Sequence, residues 1–232
     1  MLVHRVVVYV LVAAALLIPF SVPAYADLIG NGSFEQGTFV NDGNGTMTFS
    51  AGPTSITGWT AVGRQVSWIE SPNPWGLSAQ DGNFFLDLTA YNPGAPFGGV
   101  TQDITTVVGQ QYDLSFYLGS YTRRWGGPPV SILASAGGTS QTFSVSTTST
   151  ASTWTPFSLL FTATSTTTTV TLTGAAGLNY IGLDHVMVNP SGTPAVPEPG
   201  SYALIALGTA LLAVVGRRTR RSCTSSKRAS DG

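Results

Sequence analysis

Apolar and polar residues alternate most cleanly over residues 111–119: Tyr112, Leu114, Phe116 and Leu118 fall on one face, Asp113, Ser115 and Tyr117 on the other. A period of two is the signature of a half-buried β-strand. It recurs at Phe84, Leu86 and Leu88, at Val130, Ile132 and Ala134, at Phe143 and Val145, at Phe157, Leu159 and Phe161, and at Val170 and Leu172. Residues 56–60, 66–69, 100–104 and 181–188 predict further strands, and Gly, Pro and Asn punctuate between them, as at 92–94 and 126–129. No stretch of this region has a helical period of useful length. Ten or so short strands without crossover helices predict two antiparallel sheets packed face to face. The Ser/Thr tracts at 146–153 and 164–169 read as loops running into strands, because alternation resumes directly after each.

The two ends depart from this pattern. Residues 1–5 carry Arg5, residues 6–20 are apolar without a break, and Ala24 and Ala26 supply the small residues of a cleavage site. That order predicts a signal peptide over residues 1–26, with a mature chain starting at Asp27; a buried N-terminal helix is the alternative. Near the other end Pro197-Glu198-Pro199 precedes an apolar run over 202–216, closed by Arg217, Arg218, Arg220 and Arg221. Pro199 cannot extend a helix and Ser201 suits an N-cap, so a helix is predicted from there. About fifteen residues at 1.5 Å each make a ~22 Å span, short of a ~30 Å hydrocarbon core but feasible with thinning and snorkelling. Arginines stay cytoplasmic, which places the middle of the chain outside.

Composition narrows the middle. Between Asp27 and Thr193 three arginines (Arg64, Arg123, Arg124) face nine acids, a net charge of −6, and there is no lysine. Such a surface offers nothing to nucleic acid. Cys223, the only cysteine, lies beyond the apolar helix, so no disulfide staples the domain and no thiolate zinc site exists. The predicted organisation is a signal peptide at 1–26, a sandwich domain at 27–189, a Pro/Ser/Gly linker at 190–199, a transmembrane helix with its basic stop at 200–221, and a disordered tail at 222–232.

Two resemblances follow. Pro197-Glu198-Pro199, a short apolar helix and an arginine cluster in that order resemble the PEP-CTERM sorting signal. The resemblance implies recognition and processing by an exosortase at the inner membrane of a Gram-negative bacterium that makes extracellular polysaccharide, with delivery to the cell surface or matrix. The tail after Arg221 is longer than such signals usually carry, and a plain single-pass anchor is the alternative. Across the domain, Asn31-Gly32-Ser33-Phe34-Glu35, Gly58-Trp59, Gln102-Asp103-Ile104, residues 109–116, residues 154–163 and Leu183-Asp184-His185-Val186 are similar, in order, to the boxes of galactose-binding-domain-like jelly rolls. Carbohydrate-binding modules and plant cell-wall proteins of unknown function share that pattern. The fold expected is thus an all-β, antiparallel jelly-roll β-sandwich, opened by the strand that contains Asn31.

The resemblance also implies a structural calcium ion between the first and last strands, which here falls on Glu35 and Asp184. Strand parity with Val186 and Val188 puts Asp184 on an apolar face, where a carboxylate needs a cation or several donors; backbone amides or an arginine are the alternative partners. Sugar rings stack on exposed aromatic faces. Trp59 and Trp154 sit in the boxes and are expected in the core; Trp68, Trp75, Tyr91, Tyr121 and Trp125 lie near Pro, Gly or Arg and are the glycan-binding candidates. Tyr121, Arg123, Arg124 and Trp125 together suit an acidic polysaccharide, by stacking and paired charge. No catalytic residue is identified: His185 is the only histidine after the signal peptide, and no Gly-x-Ser-x-Gly elbow is present. The function expected is a non-catalytic surface or matrix protein that associates with exopolysaccharide. A small glycan-active enzyme using a carboxylate pair, or a structural adhesin, are the alternatives.

Overall fold

A computed structural model describes residues 27–74, 76–92, 94–121, 127–147, 153–178 and 180–192. The signal peptide, the sorting signal and the apolar helix expected at 200–221 lie outside the described residues, among which no helix is long and apolar enough to cross a membrane. Among the described residues ten strands run in the order β1 (Thr46–Pro53), β2 (Thr60–Glu70), β3 (Phe84–Asp87), β4 (Gly98–Thr105), β5 (Gln111–Ser120), β6 (Val130–Ala136), β7 (Thr139–Val145), β8 (Thr153–Thr162), β9 (Thr167–Ala176) and β10 (Gly182–Pro190). Every ladder between them is antiparallel, and the hydrogen-bonded order is β7-β6-β9-β4-β2-β3-β10-β5-β8, with β1 on β2. The domain is the all-β antiparallel sandwich that the alternation predicts, with the jelly-roll fold that the resemblance implies.

The path folds into two layers because β2 serves both. Its residues Thr60 to Gly63 pair with β4, whereas Ser67 to Glu70 pair with β3. Gly63 lies between the halves at φ +74, and a Cβ there would stand 2.2 Å from the Phe97 carbonyl, so only glycine lets the strand turn there. One layer is then β7-β6-β9-β4 with the first half of β2. The other is β3-β10-β5-β8 with the second half of β2 and β1. Between them lie Val130, Ile132, Leu172 and Val100 of the first layer and Leu86, Leu114, Phe116, Leu118 and Leu183 of the second, all buried. Phe143 of β7 meets Phe116 and Phe157 of the opposite layer, with centroids 5.5 and 5.2 Å apart. At about 25 cal/mol per Å² of apolar area removed from water, this core replaces the missing disulfides.

Three local expectations are corrected. Residues 46–53, whose Met47 and Phe49 pack on the core, form β1, a strand the apolar pattern does not announce because Thr and Ser surround them. The expected opening strand around Asn31 is a run of turns, and residues 56–60 supply only a bridge at Ile56 and the start of β2. Trp68 is no surface aromatic: it is 1% exposed, and its indole donates to the Phe34 carbonyl at 3.0 Å.

Candidate functional site

The turn-rich opening segment is a knot of hydrogen bonds. Asn31 takes a left-handed conformation, φ +57, and its side chain donates to the Gln36 and Thr57 carbonyls while accepting from the Gln36 amide. Gln102 clamps the same region: its Oε1 accepts from the Gly30 amide and its Nε2 donates to the Gly30 and Gly58 carbonyls. Trp59 is buried as expected, and its indole donates to the Asn31 carbonyl at 2.9 Å. Three of the boxes that carry the jelly-roll resemblance are therefore structural fasteners between loops and sheet.

The knot is docked against a bulge in β10. Register runs from Asp184 opposite Tyr117 to Met187 opposite Ser115, so His185 and Val186 share one place in the ladder. His185 stands at φ +50 there, and the Val186 amide donates to the Gly32 carbonyl at 2.9 Å. An extra residue in one strand reverses the facing of everything beyond it. Leu183 and Val188 both face the core, and Asp184 faces outward, beside Tyr117. The parity argument that places Asp184 with Val186 and Val188 assumes an unbroken strand and fails at this bulge.

Outward-facing Asp184 is nevertheless fully buried, because residues 76–83 cross over it as a strap. Its Oδ2 accepts from the Gln80 and Asp81 amides at 2.8 and 3.1 Å, and its Oδ1 from the His185 amide at 2.7 Å. Burial is the larger influence and pushes its carboxyl up to about 7, against those hydrogen bonds. Glu35 holds the far side of the strap, Oε1 accepting from the Asn83 and Phe84 amides at 2.9 and 2.8 Å. Asp81 on the strap accepts from Ser33 and lies 3.1 Å from Nδ1 of His185; these two partners hold its carboxyl below the ordinary value. The bulge thus turns Asp184 and His185 toward one strap, where a regular strand sends them to opposite faces. Asp87, buried on the same outer face, accepts from the Thr89 amide and hydroxyl and from the Ile181 amide, and burial pushes it up to about 6.

Glu35 and Asp184 grip the same strap, and backbone amides, the alternative partners to a cation, bond Oε1 of Glu35 and both oxygens of Asp184. Five backbone N–H groups point at these three oxygens. Among the described residues no cluster of three His, Cys, Asp or Glu side chains is placed to hold a metal.

Beyond the strap lies an aromatic cluster. Ile69, Leu77 and Phe85 form a small second core on this outer face, with Ala79, Tyr121, Trp154 and Tyr180 packed around it. Trp154 belongs here rather than to the main core, because register sets it opposite Gly119. A Cβ on Gly119 or Gly182 would meet the indole at 2.5 or 3.0 Å, so two glycines make the bed on which the ring lies. Its Nε1 donates to the Ser78 carbonyl at 2.9 Å, and its ring meets Phe85 edge-on. Tyr121 packs against Gly76, where a Cβ would stand 2.6 Å from the phenol ring. Trp75, Arg123, Arg124 and Trp125 lie outside the described residues, but Gly76 follows the first directly and Tyr121 precedes 122–126. The roots of the two candidate segments therefore meet at one place. Tyr91 is 58% exposed and is held through its hydroxyl by Asp42 and Thr46, at 2.9 and 3.0 Å. Sequence reasoning missed Trp154 as a member of this cluster; glycines at 119 and 182, inside otherwise apolar strands, were the available signal.

Comparison with known proteins bears on both parts of the chain. A family model described as "Protein of unknown function (DUF642)" matches residues 27–179, and one described as "PEP-CTERM protein-sorting motif" matches residues 195–221, which include Pro197, Glu198, Pro199, Arg217 and Arg218. The second marks an exported protein that is processed at the membrane. No curated protein matches. Among solved structures, the module TmCBM61 in complex with beta-1,4-galactotriose is 16% identical, covers 72% of this chain and 99% of its own, and gives a TM-score of 0.47. The C-terminal family 22 carbohydrate binding module of a Clostridium thermocellum protein is 20% identical, with 66% and 99% covered and a TM-score of 0.42. The enzymatically active domain of Bacteriophage CBA120 tailspike protein 4 is 14% identical over 71% of this chain and 21% of its own, with a TM-score of 0.42.

Proposed function

This chain belongs to the DUF642 family and carries a PEP-CTERM sorting motif, and from that premise we propose that it is a non-catalytic surface or matrix protein, processed by an exosortase, whose sandwich binds exopolysaccharide. The observation that carries the reading is the contact of Tyr121 with Gly76. It brings together Gly76 and Tyr121, which in sequence adjoin Trp75 and residues 122–126, in the cluster that also holds Trp154. Flat aromatic rings supply stacking for sugar faces, and two adjacent arginines in a domain of net negative charge supply the local attraction an acidic polymer needs. Tyr91, with its ring exposed and its hydroxyl fixed by Asp42, is a further stacking surface.

The non-catalytic part of the reading is supported by how the buried acids are used. Asp87 and Asp184 have raised carboxyls, as a general acid requires, yet their oxygens accept from loop amides and the Thr89 hydroxyl, which leaves little for a substrate. In affinity electrophoresis through the exopolysaccharide of the host, the double variant Arg123→Ala/Arg124→Ala is expected to bind about tenfold more weakly than the native protein and to lose most of its salt dependence. Retained affinity in that variant overturns the site. Release of reducing ends from the polymer by native protein, absent in Asp87→Asn, would establish the enzymatic reading instead.

Calcium at Glu35 and Asp184 is a proposal of its own, since it requires the amides of the strap to turn away from both carboxylates. Addition of calcium to chelator-treated protein is expected to raise the melting temperature by several degrees in the native chain and not in Glu35→Gln. An unchanged melting temperature removes calcium from the account.

A further inference from the structure

The chain leaves the sandwich at one particular end, and that end has an unusual surface. The Ser191 amide donates to the Gln111 carbonyl at 2.8 Å, and Nε2 of Gln110 donates to the Ser191 carbonyl at 3.1 Å. The exit is thereby tied to the turn between β4 and β5. That turn is stiff: Gln110 N–H bonds the Val107 carbonyl, Gly109 N–H and Ala163 N–H tie it to the turn between β8 and β9, and the Tyr112 hydroxyl accepts from the Val107 amide. At its tip Val107 and Val108 are 67% and 59% exposed. Residues 105–111, 162–167 and 189–192 of this end contain no charged side chain, and its nearest carboxylates are Asp27, which accepts from the Val188 amide, and Asp113, opposite Asn189. In a domain of net charge −6 the turn that carries the two valines is itself uncharged, with the acids set back at its rim.

We propose that, before its sorting signal is cleaved, this end of the domain rests on the lipid bilayer with Val107 and Val108 inserted at the headgroup–acyl boundary. The inference relies on the reading of residues 200–221 as a membrane anchor. Seven residues, 193–199, separate the last described residue from Gly200, and fully extended they reach at most about 25 Å. A tether that short holds the exit end near the membrane surface at an effective concentration on the order of millimolar, so two valines suffice where a free protein would need a larger apolar patch. Cleavage removes the tether, and with it the contact. Lipid contact then belongs to the sorting intermediate alone, and release follows from processing without a separate step.

The test uses the full chain with Cys223→Ser, carrying one environment-sensitive fluorophore on Val108→Cys or on Leu178→Cys. Leu178 is 57% exposed and follows the far end of β9. Ten residues of strand place it ~30 Å from the turn. The protein is reconstituted into vesicles of phosphatidylethanolamine and phosphatidylglycerol containing a spin-labelled lipid. At position 108 quenching by the spin label is expected to exceed that at 178 at least about twofold, and to disappear after proteolysis of the linker. Equal, weak quenching at both positions in protein that floats with the vesicles overturns the docking while leaving the anchor in place. Protein that fails to float overturns the anchor and the docking together. Quenching at 108 that survives linker cleavage overturns the claim that the contact depends on the tether.

Discussion

Gly32→Ala is expected to lose about 3 kcal/mol or more of folding stability, whereas Gly30→Ala, two residues away, is expected to stay within about 0.5 kcal/mol of the native protein. A methyl group on Gly32 would lie 1.8 Å from the Val186 carbonyl oxygen and 2.9 Å from its carbon, far inside van der Waals contact. Neither side can give way cheaply. Gly32 accepts from the Val186 amide, and Val186 occupies the bulge that also sets Asp184 and His185 against the strap. A Cβ on Gly30 meets only Oε1 of Gln102, at 3.7 Å. For a domain of this size the difference corresponds to a fall in melting temperature of roughly 6 to 12 °C for one variant and almost none for the other. Urea melts of the two variants side by side measure it, and a Gly32→Ala protein as stable as Gly30→Ala would mean that the opening segment is not seated on the bulge.

The second large effect is a dependence of stability on pH that runs opposite to the usual one. Asp184 and Asp87 are raised in the folded chain to about 7 and about 6, from an ordinary value of 3.8. Between roughly pH 4 and pH 7 the folded state therefore keeps protons that the unfolded chain has released, so stability falls as pH rises through that window. The contribution of these groups is fully present below the unfolded value and is lost once the pH passes the folded one. A shift of about three units on Asp184 amounts to ~4 kcal/mol, with somewhat less from Asp87. Asp42 and Asp81 act in the other direction. Their carboxyls are lowered, first of all by Thr46 and by Ser33 respectively, so what they contribute is lost as pH falls below about 4. The native protein is expected to be most stable near pH 4. Asp184→Asn, which cannot titrate, is expected to show a decline between pH 4 and 7 smaller by about half. Thermal melts across that range check it, and a native profile that rises toward neutrality rules out burial as the dominant influence on Asp184.

Both predictions turn on a single extra residue in β10. Leu183-Asp184-His185-Val186 reads as one alternating strand, and from alternation alone Asp184 belongs with the valines. A bulge is paid for by contacts on both of its flanks, here Gly32 on one side and the strap amides on the other, and those contacts come from residues more than a hundred positions away.

Two levels of description separate here. The sequence by itself determined the class of fold, the outward address and most of the core, because strict alternation leaves a chain no other way to hide Leu114, Phe116 or Val170, and because short-range order alone defines a sorting signal. It also determined that the domain would have to stand without disulfides. Only the tertiary structure decided which face Asp184 takes, that Trp68 is core and Trp154 lies on the outer face over Gly119 and Gly182, and that Tyr121 meets Gly76. The reason is physical: a side chain's face follows from its own strand's period until a bulge, a glycine bed or a crossing strap intervenes, and each of these is built by partners distant in the chain, whose approach no local pattern encodes.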